Sequence, residues 1–210
     1  MKVRMRHPLQ AALAGLVLIL APLQCARADA LPPTPAQMLG PYYPLQPDPQ
    51  AGSDLTRAGT ALGRPLAIVG RVRDTQGRGL PGILVEIWQT NAHGRYHHPH
   101  DQSPLPLDPA FAGYGRGATD GDGGYRFRTI WPAAYPGRTP HVHFRLSRGK
   151  QELLVTQMYL PGEAGRANAR DGVFMGVRDS GARQRLLGVP LGNDPNSLRF
   201  DIVIEAARGE

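Results

Sequence analysis

HVHFRLSRGKQELLVTQMYL, residues 141–160, reads as two short strands and the turn between them. In 141–147 the residues His141, His143 and Arg145 alternate with Val142, Phe144 and Leu146, and 153–160 is again apolar and β-branched. A period of two marks a strand with one buried face, because successive side chains point to opposite sides. The same grammar recurs outward from there in LAIVGRVRD (66–74), ILVEIWQ (83–89), YRFRTI (125–130) and RFDIVIEA (199–206), punctuated by Gly-Arg-Gly and Gly-Asp-Gly-Gly clusters. Short strands joined by turns, with one short helix near 179–187, predict an all-β chain: an antiparallel β-sandwich with long functional loops and little helix. Residues 31–65, rich in Pro and Gly, read as an N-terminal arm, and 66–210 as the sandwich domain. Two connections, 90–124 and 161–198, are too long for hairpin turns, and long loops in a compact domain usually carry function.

The first thirty residues stand apart. Lys2, Arg4 and Arg6 precede an apolar run from Ala11 to Leu20, and Ala26-Arg27-Ala28 and Ala28-Asp29-Ala30 offer cleavage points. This is the pattern of a secretory signal peptide over 1–30, with an apolar stretch too short to span a bilayer comfortably. An uncleaved anchor and lipidation at Cys25 are the competing readings. Cleavage would leave a periplasmic or secreted chain that no longer needs a membrane. It would also lower the formal net charge from +7 to +4 and remove Cys25, the single cysteine. That mild excess, with no basic run interleaved with aromatics, excludes a nucleic-acid partner. Without cysteine, stability has to come from the core and from any bound metal.

Chemistry concentrates in YPGRTPHVHF, 135–144. His141 and His143 share one face of a strand, as two metal ligands would, although HxH also suits a solvated face. Arg138 nearby disfavours their protonation and keeps the imidazoles available as ligands. No Asp or Glu lies between Asp122 and Glu152 to complete a two-histidine, one-carboxylate iron site. His93, His97, His98 and His100 keep a three-histidine zinc or copper site open. TDGDGG (119–124) fails as a calcium loop, since Trp131 occupies the twelfth position from Asp120, and reads instead as a tight turn.

With Tyr135, Arg138, His141 and His143 in view, the chain resembles the intradiol ring-cleavage dioxygenases, the family of protocatechuate 3,4-dioxygenase and catechol 1,2-dioxygenase. The likeness runs through GPYYP (40–44), GRVRDTQGRGLPGILVEIWQTNAHGRY (70–96), PLDPAFAGYGRGATDGDGGYRFRTIWP (106–132), YPGRTPHVHF, LVTQMYLPG (154–162) and RFDIVIE, in the family's order. It implies one iron(III) per chain, held by Tyr96, Tyr135, His141 and His143, with Tyr135 the ligand that leaves when substrate binds. It further implies that Arg138 stabilises charge on the bound ring, that Gln157 lies near the reacting carbon, and that Pro41, Tyr42 and Tyr43 line the substrate pocket.

The activity so implied inserts both atoms of O2 into a small aromatic diol. It cleaves between the two hydroxylated carbons and gives a cis,cis-muconate without an organic cofactor. Two tyrosinates and a hydroxide balance iron(III), and a catechol dianion replacing one tyrosinate and the hydroxide keeps that balance. Five residues separate Tyr135 from His141, fewer than in protocatechuate dioxygenases, where the segment helps to bind the substrate carboxylate. The long helical N-terminal region of catechol dioxygenases is also missing. The short segment counts against protocatechuate and leaves catechol, hydroxyquinol, a lignin-derived catechol or another exported aromatic as the expected substrates, and a homo-oligomer is compatible with the pattern. The competing expectation is a sandwich module that binds aromatic or carbohydrate ligands without turnover.

Overall fold

The computed structural model describes residues 30–162 and 166–205; the signal peptide expected over 1–30 lies, but for its last residue, outside the described residues. The strands are β1 (Pro65–Asp74), β2 (Leu84–Trp88), β3 (Tyr114–Ala118), β4 (Gly124–Ile130), β5 (His141–Arg148), β6 (Gln151–Tyr159), β7 (Val189–Leu191), β8 (Asp194–Arg199) and β9 (Ile202–Ile204). Two short helices, α1 (Gly172–Gly176) and α2 (Ser180–Gln184), follow a 3-10 turn at Asn168–Arg170. One sheet runs β4-β1-β8-β7 with β9 also on β1, and the other runs β3-β2-β5-β6.

The sandwich agrees with the sequence expectation, with one change in detail. β1 pairs with β8 and β9 in parallel, so the first sheet is mixed. The C-terminal segment breaks at Phe200 and Asp201, which splits the run expected at 199–206 between the end of β8 and β9. β1 is ten residues long, enough for both pieces to lie along one of its edges while β4 takes the other.

The core lies between the sheets. Ile68, Val72, Phe127, Ile130, Leu198 and Ile202 from one sheet meet Val85, Ile87, Val142, Phe144, Leu146 and Met158 from the other. At roughly 25 cal/mol per Å² of apolar surface, their burial is the main term holding the sheets together.

On the face of β5 that points away from this core, His141 and His143 are also buried and Arg145 is half-buried. Something must therefore cover the outer face of the second sheet. Residues 31–43 do much of it. Leu31 N donates to Thr75 O (2.7 Å), Thr34 N to Val203 O (2.9 Å) and Gln37 N to Val155 O (2.8 Å). The Thr156 hydroxyl donates to Pro35 O at 2.8 Å. The arm thus caps the free edge of β6, which would otherwise present unpaired backbone groups. Among the described residues, no helix is long and apolar enough to cross a membrane.

Candidate active site

Register builds the floor of the site. Across the second sheet Tyr114 is opposite Trp88, Trp88 opposite His143, and His143 opposite Gln157, so one lateral row crosses four strands on the outer face. His141, two residues before His143, is opposite Tyr159. Trp88 stacks flat on His143, with centroids 4.7 Å apart and planes at 8°. The backbone of Gly40 lies close to the Nε2 end of the same ring; a Cβ there would come within 3.2 Å of His143 Cε1.

Two loops add the tyrosines. In NAHGRY, Asn91 Oδ1 accepts from His93 N (2.9 Å) and Arg95 N (3.0 Å), and its Nδ2 donates to Pro106 O (2.9 Å). Gly94 has φ +85°, and a Cβ on it would sit 2.4 Å from Ala134 O, so glycine is needed both for conformation and for the approach of the two loops. Asp101 completes this loop by accepting from Tyr96 N at 2.7 Å. The second loop is a tight turn: Arg138 N donates to Tyr135 O (2.9 Å), with Pro136 and Gly137 (φ +78°) at the two central positions, the residues that a type II turn favours.

Together these place four rings in one shell. Centroids are 4.7 Å apart for His141 and His143, 5.5 Å for Tyr96 and Tyr135, 5.7 Å for Tyr135 and His141, and 6.2 Å for Tyr96 and His143. His141 Nδ1 faces Thr139 O at 2.6 Å, which fixes the proton there and leaves Nε2 a lone pair; that Nε2 faces His143 Nε2 at 3.1 Å. The Tyr96 hydroxyl and His143 Nδ1 are buried without a hydrogen-bond partner.

Electrostatics point the same way. Burial, with the Arg138 charge added, pulls His141 down to about 4, and burial, His141 and Arg138 push His143 well below the usual histidine range. Both imidazoles are neutral at pH 7 with nitrogen lone pairs to offer. Burial and the neighbouring Tyr135 push Tyr96 well above the usual phenol range. Burial also raises Tyr135, against the opposing pull of Arg138. These phenols lose their protons only if a cation arrives to hold the charge.

Arg138 reaches the centre with every nitrogen engaged. Its Nη1 donates to the Tyr135 hydroxyl (3.3 Å) and its Nε to Asp171 Oδ2 (2.9 Å). Its Nη2 donates to Gln157 Oε1 and, at 3.3 Å, to the Tyr159 hydroxyl. Gln157 Nε2 donates in turn to Met38 O at 3.1 Å.

The structure therefore brings Tyr96, Tyr135, Arg138, His141, His143 and Gln157 together. Tyr42 joins them by stacking on Tyr96 at 4.5 Å. Pro41 is exposed beside it. The Tyr43 ring instead packs edge-on against Trp88 at 4.9 Å, and its hydroxyl is committed to Glu86 Oε1 at 3.0 Å. Glu86 is buried and also receives the Tyr114 hydroxyl (2.5 Å) and Arg145 Nη1 (2.9 Å), a lock that holds the arm down. The loop histidines do not assemble a rival centre: among the described residues no three His, Cys, Asp or Glu side chains converge. Sequence reasoning passed over Trp88, Tyr159, Glu86 and Asp171; only the alternation of β2 and β6 marked Trp88 and Tyr159 as sharing faces with Glu86 and Gln157.

Known proteins share both fold and sequence pattern. Residues 38–206 match the family model described as Dioxygenase. The chain is 42% identical over 160 residues to the protocatechuate 3,4-dioxygenase beta chain of Burkholderia cepacia, covering 72% of this chain and 65% of that one. It is 30% identical over 209 residues to hydroxyquinol 1,2-dioxygenase of Nocardioides simplex, covering 87% and 67%. The chain thus spans about two thirds of the length of these two curated relatives. Among solved structures, the dioxygenase domain of a dioxygenase carbohydrate-binding protein fusion from Streptomyces sp. SirexAA-E superposes with a TM-score of 0.66 at 33% identity, over 84% of this chain and 100% of that one. These matches define a class, the β-sandwich ring-cleaving oxygenases. Within it, the chain belongs to the intradiol ring-cleavage dioxygenase family.

Proposed function

We propose that the protein is an exported, iron(III)-dependent intradiol dioxygenase that cleaves a catechol-type aromatic between its hydroxylated carbons to give a cis,cis-muconate. The observation that carries the proposal is the shell of Tyr96, Tyr135, His141 and His143, in which the buried Tyr96 hydroxyl makes no well-formed hydrogen bond. Leaving a buried polar group unmade costs about 1–3 kcal/mol, so an orphaned Tyr96 hydroxyl in this position fits a site meant to receive a cation. Two neutral imidazoles and two phenols form a mixed N2O2 donor set whose tyrosinate oxygens, hard and negatively charged, suit iron(III).

Iron(III) there would supply Lewis acidity, making tyrosinate and catecholate available near neutral pH and drawing electron density from the bound ring. The side chains do the rest. His141 keeps its Nε2 lone pair inward through the Nδ1 hydrogen bond to Thr139 O. Trp88 holds the His143 ring by stacking on it, and Gly40 leaves its Nε2 end uncrowded. The Tyr135 oxygen takes one phenolic proton from the arriving catechol, while Arg138, already 3.3 Å from that oxygen, offsets the negative charge developing on the ring. Tyr42 and the arm exclude water from the Tyr96 side. The signal-peptide pattern over 1–30 supports export. The short 135–141 segment supports a substrate without the carboxylate of protocatechuate.

The test is spectroscopic. Iron-loaded protein should be coloured by tyrosinate-to-iron charge transfer, and anaerobic catechol should shift the band. Colourless protein with one iron per chain would contradict the assignment of Tyr96 and Tyr135.

A further inference from the structure

We propose that Asp171 is a positioning residue for the reaction: it fixes the direction of Arg138 and keeps it charged, and it does so with a carboxylate oxygen that its structural job does not use. The inference rests on the dioxygenase reading. Asp171 is 1% exposed. It caps α1, and its two oxygens divide the work. Oδ1 accepts from Val173 N (2.9 Å) and Phe174 N (3.1 Å). Oδ2 accepts from Arg138 Nε (2.9 Å) and Thr139 N (3.0 Å).

Those two donors reach opposite sides of the site. Arg138 sends its remaining nitrogens to Tyr135, Gln157 and Tyr159. Thr139 presents its carbonyl to His141 Nδ1, and its hydroxyl donates to Asn168 Oδ1 at 3.0 Å. One buried oxygen therefore sets where the guanidinium points and seats the residue that orients His141. A cap alone needs no charge, because Asn serves about as well as Asp at that position. In Asp171→Asn, if Oδ1 keeps the cap, Nδ2 faces two N–H donors and the link to Arg138 is lost.

The experiment uses the iron-loaded full chain with catechol. Asp171→Asn should lower kcat by about tenfold or more, as loss of a preorganised donor does, with a much smaller change in KM. Added to Arg138→Ala, the same substitution should change kcat by clearly less than it does in wild type, because the larger part of its effect passes through Arg138 and only the Thr139 contact remains. Asp179→Asn, which alters a cap without an arginine on α2, should leave kcat unchanged. A second readout needs neither metal nor variant: in the metal-free wild-type protein, NMR should find the Arg138 Nε proton protected from solvent exchange. An unchanged kcat in Asp171→Asn, an equal loss in the Arg138→Ala background, or an Arg138 Nε proton exchanging as fast as those of exposed arginines would overturn the proposal. If wild-type protein turns over no catechol, the dioxygenase reading fails, and the exchange measurement still decides whether Asp171 holds Arg138.

Discussion

At the scale of single residues, the clearest case is the hydroxyl of Tyr96, which is buried and makes no well-formed hydrogen bond, with the Tyr135 hydroxyl beside it. Its burial is a cost the fold bears in the metal-free state. Tyr96→Phe should therefore leave the metal-free protein as stable as wild type or more so, by up to about 1 kcal/mol. The same change should abolish most iron retention and the charge-transfer colour. Thermal denaturation beside metal analysis separates the two effects; a large loss of stability in the metal-free variant would show that the hydroxyl has a structural partner. His141 and His143 stood out in the sequence as a same-face pair with Arg138 close by, but that pattern left their role open, and Tyr135 gained a role only through the family resemblance. Tyr96 was legible only through its family resemblance. Asp171 was not legible at all: it lies 33 residues from Arg138, inside a connection whose path no local pattern sets.

At the scale of elements, the alternating runs of β1, β2, β4, β5 and β6 announced themselves, since each buries one regular face in the core. β3 did not: Tyr114–Ala118 contains two glycines and one arginine and has little β propensity, and it is a strand because β2 pairs along its whole length. β8, with Asp194, Pro195 and Asn196, reads as a turn and is held by its neighbours β1 and β7. Loops also carry consequences at this scale. Gly94→Ala would force a methyl toward Ala134 O, separating the loops of Tyr96 and Tyr135. A loss of about 2 kcal/mol or more is expected, with weakened iron binding. Unchanged stability in chemical denaturation would sink the idea that these loops interlock. At the end of β1, Asp74 is buried, which opposes its ionisation. Hydrogen bonds from the Arg78 side chain and the Arg78 and Gln76 backbone outweigh that, holding the carboxyl below its usual range. A depressed folded pKa gives stability that is present above the unfolded value, about 3.9, and is lost as pH falls through the lower folded value. Asp74→Asn should therefore cost stability at neutral pH and flatten the fall below about pH 4, as read from unfolding midpoints across pH.

At the scale of the whole molecule, the site exists because a chain segment crosses the outer face of one sheet. The arm binds the turn after β1, β9 and β6 by its backbone, reaches Gln157 through Met38, and is locked at Tyr43 by Glu86. A chain lacking residues 30–39 should keep the sandwich, since none of its core side chains is removed. It should lose about tenfold or more in kcat/KM as water reaches the site and Gln157 loses its partner, and should self-associate through the uncovered β6 edge. Oxygen uptake and light scattering would read the two effects. The arm's role was not legible in its own composition, which announces only a loop; the buried outer face of β5 is what demands a cover. The most direct test of the central claim is turnover of catechol by the iron-loaded full chain under 18O2. The expected product is a cis,cis-muconate carrying one labelled oxygen on each new carboxyl group. No ring cleavage of catechol or hydroxyquinol by protein with one iron per chain, or a product labelled in a single position, would contradict it.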